Sequence, residues 1–259
     1  MSSAERGKVS VAECWKWMCS ILFRKDLKPS KPEVFSSCKL ETERLEGKMM
    51  HETFIQDLRE RLVKVGREIY THGFVPGTVG NISAKIPNTD IILIKPSGVG
   101  MGALKPEDLA IVDLQGKQIQ GELSLSIETP MHTAIYRTRD DVQGVVHSHA
   151  PTATAFGVAG IEILPILIEM FHFIPNGVPI VPFEFPGTQE LAEVVEKKIK
   201  DFDAVILENH GIVTVGPSIE NACNLNIMVE ECAKTQFIAT LLAGPDAITM
   251  EKIREKFRL

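Results

Sequence analysis

"VVHSHAPTATA", residues 145–155, sets two histidines one residue apart behind a pair of valines. Positions two apart on a helix point to nearly opposite sides. On a strand they leave the same face, with bases roughly 7 Å apart at about 3.3 Å per residue. His147 and His149 can therefore converge on one ion only if this stretch is extended. The apolar residues before it fit that reading, and "VQGVVHSHA" is expected as a strand ending at a site.

Working outward, short strands are expected at "NISAKI", "DIILIKPSG", "LAIVDL" and "KQIQG", with "LQGK" as a hairpin turn. "AVILE" and "IVTV" flank the turn "NHG" as a second hairpin, with His210 at its tip. Helices are expected at "HETFIQDLRERLVKVGREIYTHG" (51–73), at "PMHTAIYRTR" after Thr129, at "TQELAEVVEKKIK" from Thr188, and from "SIENAC" to Gly244. In the first, Phe54, Ile55, Leu58, Leu62, Val65 and Ile69 recur at helical spacing. Several strand pairs have connections too short for crossovers, so a mixed, largely antiparallel sheet in a layered α/β or α+β domain is expected, and a doubly wound parallel sheet fits less well. Residues 1–46 are read as an N-terminal helical extension and linker, and 47–259 as the main domain. Within the extension, "CWKWMCSILF" (14–23) carries an amphipathic pattern, and the polar, Pro/Ser-punctuated 24–46 reads as the linker.

Composition narrows the function. A net charge of −6, with no basic stripe among aromatics, argues against a nucleic-acid partner. The 14–23 run falls short of the ~20 residues that span a bilayer, and it lacks a small-residue cleavage site. Five cysteines without a C-x-x-C pair argue against both a disulfide framework and a cysteine metal site, and read as reduced thiols in the cytoplasm. The phosphate loop G-x-x-x-x-G-K-S/T is absent. So is the G-x-G-x-x-G fingerprint of a dinucleotide oxidoreductase.

Three neutral imidazoles, from His147, His149 and His210, would leave a zinc ion one open position, as in catalytic sites. Glu128, in "LSIETPMH", lies immediately before a helix, where the dipole favours its anion. It is a candidate displaceable ligand or general base. His132, four residues on, shares its side of the helix and reads as structural or as a partner of Glu128. The turns "GTVGNIS" (77–83) and "PSGVG" (96–100) offer backbone N–H groups suited to a phosphate.

The ordered set "GNIS", "KPSG", "SIETPMH", "HSHA" and "ENHG", together with "PGTQELAE", resembles the class II aldolase/adducin family, most closely its sugar-phosphate lyases, over about residues 51–243. The resemblance implies a three-layer α/β/α domain, a zinc ion, and a homotetramer with active sites between subunits. It implies His147, His149 and His210 as metal ligands and Glu128 as the acid/base carboxylate. Gly80, Asn81, Ser97, Gly98 and Ser126 would form the phosphate cradle. The activity implied is cleavage of a phosphorylated ketose to dihydroxyacetone phosphate and an aldehyde through an enediolate, with zinc as Lewis acid and Glu128 moving the proton. A 4-epimerase, a dehydratase or a keto-acid-phosphate decarboxylase would use the same site. An adducin-like scaffold is the non-catalytic alternative, though it is expected to lack the three histidines. This chain departs from the fuculose-type pattern at Ile127, where a serine stands, and at Lys95, where a small hydroxyl residue is common. It also lacks tyrosines in the aldehyde-binding regions, where Glu169 and His172 are the nearest ionisable groups.

Overall fold

The computed structural model describes residues 32–244 and 248–257. The apolar segment 14–23 and the first part of the expected linker, 24–31, lie outside them. Helix α1 runs Pro32–Thr71, so the 32–46 part of the expected linker is helical. In sequence that stretch opens on a proline followed by the pair Ser36-Ser37, which reads as loop. Its many Glu, Lys, Leu and Arg residues nonetheless favour helix, and Pro32 suits a first helical position. The chain divides into two compact units, 1–54 and 55–259, and the second carries everything below.

The sheet is built from β1 (Asn81–Lys85), β2 (Ile91–Ile94), β3 (Ala110–Asp113), β4 (Gln118–Gln120), β5 (Gly144–Ser148), β6 (Ile180–Val181), β7 (Ala204–Leu207) and β8 (Gly211–Gly216). Between and after these strands lie α2 (Thr129–Thr138), α3 (Pro151–Ala159), α4 (Ile168–Phe173), α5 (Gln189–Ile199), α6 (Ile219–Ala243) and α7 (Met250–Phe257). The strand order is β4-β3-β2-β1-β5-β8-β7-β6. Every pair is antiparallel except β6 with β7. Both expected hairpins, β3–β4 and β7–β8, form.

Alternation along the strands divides the core in two. Val146, Leu93, Ile206 and Ile212 join Leu58, Leu62, Val65 and Ile69 of α1 and Ala222 and Val229 of α6 on one face. Val145, Ile92, Val205 and Val213 join Met131, Ile135 and Tyr136 of α2 and Leu191, Val195 and Ile199 of α5 on the other. The result is the expected three-layer α/β/α arrangement. Each fully buried aliphatic side chain of α1 stabilises the docked helix by about 1.5–3 kcal/mol. Capping marks the helix starts: Thr188 accepts from the Leu191 N–H and Ser218 from the Asn221 N–H. No described helix is long and apolar enough to cross a membrane.

Arg61 of α1 grips Glu220, in the first turn of α6, through two bonds of 2.7 Å each. The Arg61 hydrogen bonds hold the Glu220 carboxyl down, from 4.5 to about 2. A depressed carboxylate pKa contributes stability above about 4.5, and that contribution disappears as pH falls toward 2. Both side chains are partly solvated, so salt screens the pair. Glu220→Gln should therefore melt with a shallower loss of stability between pH 4.5 and 2 than the parent chain. Thermal melts across that range at low and high salt check this.

Candidate metal and acid/base site

β5 pairs with β8 in the register His147↔Val213 and Ser148↔Ile212. The end of β5 therefore lies beside the turn from which β8 begins. His147 shares its face with Val145, while Ser148 turns the other way to donate to Asn226 of α6 at 2.7 Å. His149 lies one residue past the strand, its N–H bonded to the Phe74 carbonyl. The β7–β8 turn brings in the third ring. Asn209 adopts φ 55°, a conformation asparagine tolerates, and the His210 N–H closes the turn on Leu207.

All three expected ligands meet. Their ligand atoms lie within 4.8 Å of one another. His149 Nε2 and His147 Nε2 are 3.2 Å apart, close to the roughly 3.3 Å edge of a tetrahedron drawn with 2.0 Å metal–nitrogen bonds. His147 Nδ1 bonds the Ile212 carbonyl at 3.0 Å, which places the proton on Nδ1 and leaves Nε2 free to ligate. Burial holds His147 down to about 3 and His210 to about 4, and lowers His149 as well. The rings are neutral, as metal ligands must be.

Glu128, the N-cap of α2, aims its carboxylate at the same point. Its Oε2 is 3.3 Å from His147 Nε2 and its Oε1 3.6 Å from His210 Nε2. Beside neutral rings these contacts are not ion pairs. Glu128 Oε1 and His210 Nδ1 are buried without hydrogen-bond partners. A carboxylate and lone-pair nitrogens turned on one spot fit a divalent cation, and His147, His149 and His210 are the residues that would hold it.

The expected cradle residues also gather at this end of the sheet. The Ser97 N–H bonds the Ser124 carbonyl, and Lys95 donates to Thr78 O at 3.1 Å. The turns 77–80, 95–98 and 124–126 are thereby tied together, with Gly98 exposed and Ser126 buried under the start of α2. Gly80 has φ +71°, and a Cβ there would lie 2.9 Å from the His147 carbonyl. Asn81 also reaches the carboxylate. Its register partner is His147, and its side-chain amide donates to Glu128 Oε2 at 2.6 Å, serving the carboxylate. Lys95 does not reach solvent: it is 2% exposed, and burial pushes it down to about 8 against the pull of Glu128. The apolar run "IILI" (91–94) directly before Lys95 was the available signal. Glu169 and His172 stand exposed on α4.

A sequence profile of the Class II Aldolase and Adducin N-terminal domain matches residues 60–237. The chain belongs to the class II aldolase/adducin family. It is 33% identical over 206 residues to the 5-deoxy-D-ribulose 1-phosphate aldolase of Bacillus thuringiensis serovar kurstaki, covering 78% of this chain and 96% of that one. It is 30% identical over 187 residues to the 3-oxo-tetronate 4-phosphate decarboxylase of Escherichia coli K12, covering 71% and 87%. Among solved structures, an L-fuculose 1-phosphate aldolase superposes with a TM-score of 0.70 at 30% identity, covering 78% and 97%. Similarity of this kind makes the chain an enzyme of the class II aldolase type, a lyase.

Two variants test the ring cluster. His147→Ala should lose bound metal and turnover together, read by elemental analysis of untagged protein. A Cβ at Gly211 would collide with the Ser148 carbonyl and lie 3.0 Å from His149 and 3.2 Å from His147. Gly211→Ala should therefore cost about 1–3 kcal/mol of stability and weaken metal retention.

Proposed function

We propose that this protein is a zinc-dependent aldolase that cleaves a phosphorylated ketose, fuculose 1-phosphate-like, to dihydroxyacetone phosphate and an aldehyde. One observation carries the reading: three neutral imidazoles and an unpartnered Glu128 oxygen face one point, beside the glycine-bearing turns 77–80 and 95–98. Three neutral ligands suit zinc with an open position for substrate. A cation there supplies Lewis acidity to the ketose carbonyl and its adjacent hydroxyl.

The remaining work falls to the chain itself. The turns 77–80 and 95–98, with Ser126, hold the phosphate, so binding away from the reacting carbons fixes their position. Buried Lys95, bonded to the carbonyls of Thr78 and Pro96, adds positive charge beneath that cradle. Glu128 exchanges the proton at the carbon adjacent to the carbonyl, where the broken bond leaves its electron pair. Exposed Phe237, Ile238, Leu241 and Leu242 at the end of α6 support subunit contact in a homotetramer.

A keto-acid-phosphate decarboxylase is the second reading, favoured by the similarity to the 3-oxo-tetronate enzyme. Metal-loaded protein should be given ketose 1-phosphates, ketose 5-phosphates and keto-acid phosphates. Release of dihydroxyacetone phosphate is expected. Carbon dioxide or loss of water without it would overturn the aldolase assignment. Glu128→Gln should keep its metal and lose turnover by roughly 100- to 10,000-fold, the range for a positioned proton-transfer group; an active variant removes the assigned base.

A further inference from the structure

Strand β1 and helix α2 meet along a single polar seam. Asn81 and Ser83 are two apart on a strand, hence on one face, about 6.7 Å along it. Glu128, His132 and Tyr136 are four apart on one helix stripe, about 6 Å per step. The two spacings nearly match, so the side chains interleave in the order Glu128, Asn81, His132, Ser83, Tyr136. Glu128 Oε2 to Asn81 Nδ2 is 2.6 Å, Asn81 Oδ1 to His132 Nε2 is 2.5 Å, His132 Nδ1 to Ser83 Oγ is 2.6 Å, and Ser83 Oγ to Tyr136 Oη is 2.9 Å. Ser83, His132 and Tyr136 are fully buried, and Asn81 and Glu128 are 5% exposed.

The chemistry of the ends fixes every proton between them. A carboxylate only accepts, so the amide of Asn81 must turn its nitrogen to Glu128 and its oxygen to His132. His132 Nε2 must then carry the ring proton, and Nδ1 must accept. Ser83 donates to Nδ1 and in turn accepts from the Tyr136 hydroxyl. Reversing the amide or the ring would set acceptor against acceptor in a buried site, which is costly. Burial also holds His132 down to about 3, so the ring takes part as a neutral donor–acceptor.

We propose that Asn81, His132, Ser83 and Tyr136 form a one-directional relay that locks the orientation of the Glu128 carboxylate, with His132 the positioning residue that acts through Asn81. This rests on Glu128 being the acid/base group of the proposed function. It assigns His132 neither a metal-binding nor a proton-transfer role, and places Asn81 at the carboxylate rather than at the phosphate.

Nitrogen-15 NMR of the full chain labelled at histidine tests the seam without substrate. His132 should be the Nε2–H tautomer at neutral pH with an accepting Nδ1; an Nδ1–H tautomer or an imidazolium overturns the relay. His132→Gln and His132→Leu supply the second measurement. A glutamine carboxamide carries one donor and one acceptor on a single carbon, as imidazole carries Nε2–H and Nδ1, whereas leucine carries neither. His132→Leu should lower kcat about 10–100-fold, the usual effect of removing a partner that orients a site group, with KM and bound metal little changed. His132→Gln should recover most of that loss. Equal impairment of both folded variants, or a loss confined to KM or to metal content, overturns the positioning role. If His132→Leu does not fold, Tyr136→Phe replaces it, with a smaller fall in kcat expected and no change counting against the relay. Should no sugar or keto-acid phosphate be turned over, the functional proposal falls while the tautomer still decides the seam.

Discussion

Antiparallel pairing of β5 with β8 governs the geometry of the whole site. Because β8 begins at Gly211, opposite the last residues of β5, the turn carrying His210 cannot lie anywhere but beside His147 and His149. The pairing is enforced from both sides of the sheet. Val146 and Ile212 belong to one apolar layer, Val145 and Val213 to the other. A one-residue slip would send each to the wrong side and rotate His147 away from its neighbours.

From the second layer, α2 delivers a carboxylate to this point. The helix is anchored by Met131, Ile135 and Tyr136 in the core, while Glu128 at its start and His132 and Tyr136 along one stripe turn toward β1. Packing and polar contacts therefore fix the same rotation of the helix. Tyr136 shows the overlap most clearly: its ring fills the core and its hydroxyl ends the polar seam.

Much of this was legible in residue order. H-x-H after paired valines and N-H-G between β-branched runs located the three histidines that meet, since strand alternation and tight turns leave little freedom. Glu128 was recognisable from its place before Thr129-Pro130. The helical state of 32–46 was not, because Pro32 and the pair Ser36-Ser37 read as loop and outweighed the good helix formers that follow them. The contact of Asn81 with Glu128 was hidden for another reason: "GNIS" marks a turn leading into a strand, but which way the amide turns depends on His147 across the ladder and on α2, far away in sequence. The same distance hid Ser83 and Tyr136. Their spacing of two and four residues is present in the chain, yet it acquires meaning only once β1 and α2 are known to face each other.

Gly80 and Gly211 have a consequence for how such a protein can diverge. With a backbone carbonyl or ring within contact distance of where a first side-chain carbon would stand, the backbone beneath the three rings admits almost no replacement. Novelty is thereby displaced to side chains that stand clear of it. Ile127, next to Glu128 in sequence, is exposed and meets the loop at Gly187. Exchanging it alters the surroundings of the carboxylate and leaves the ring cluster intact.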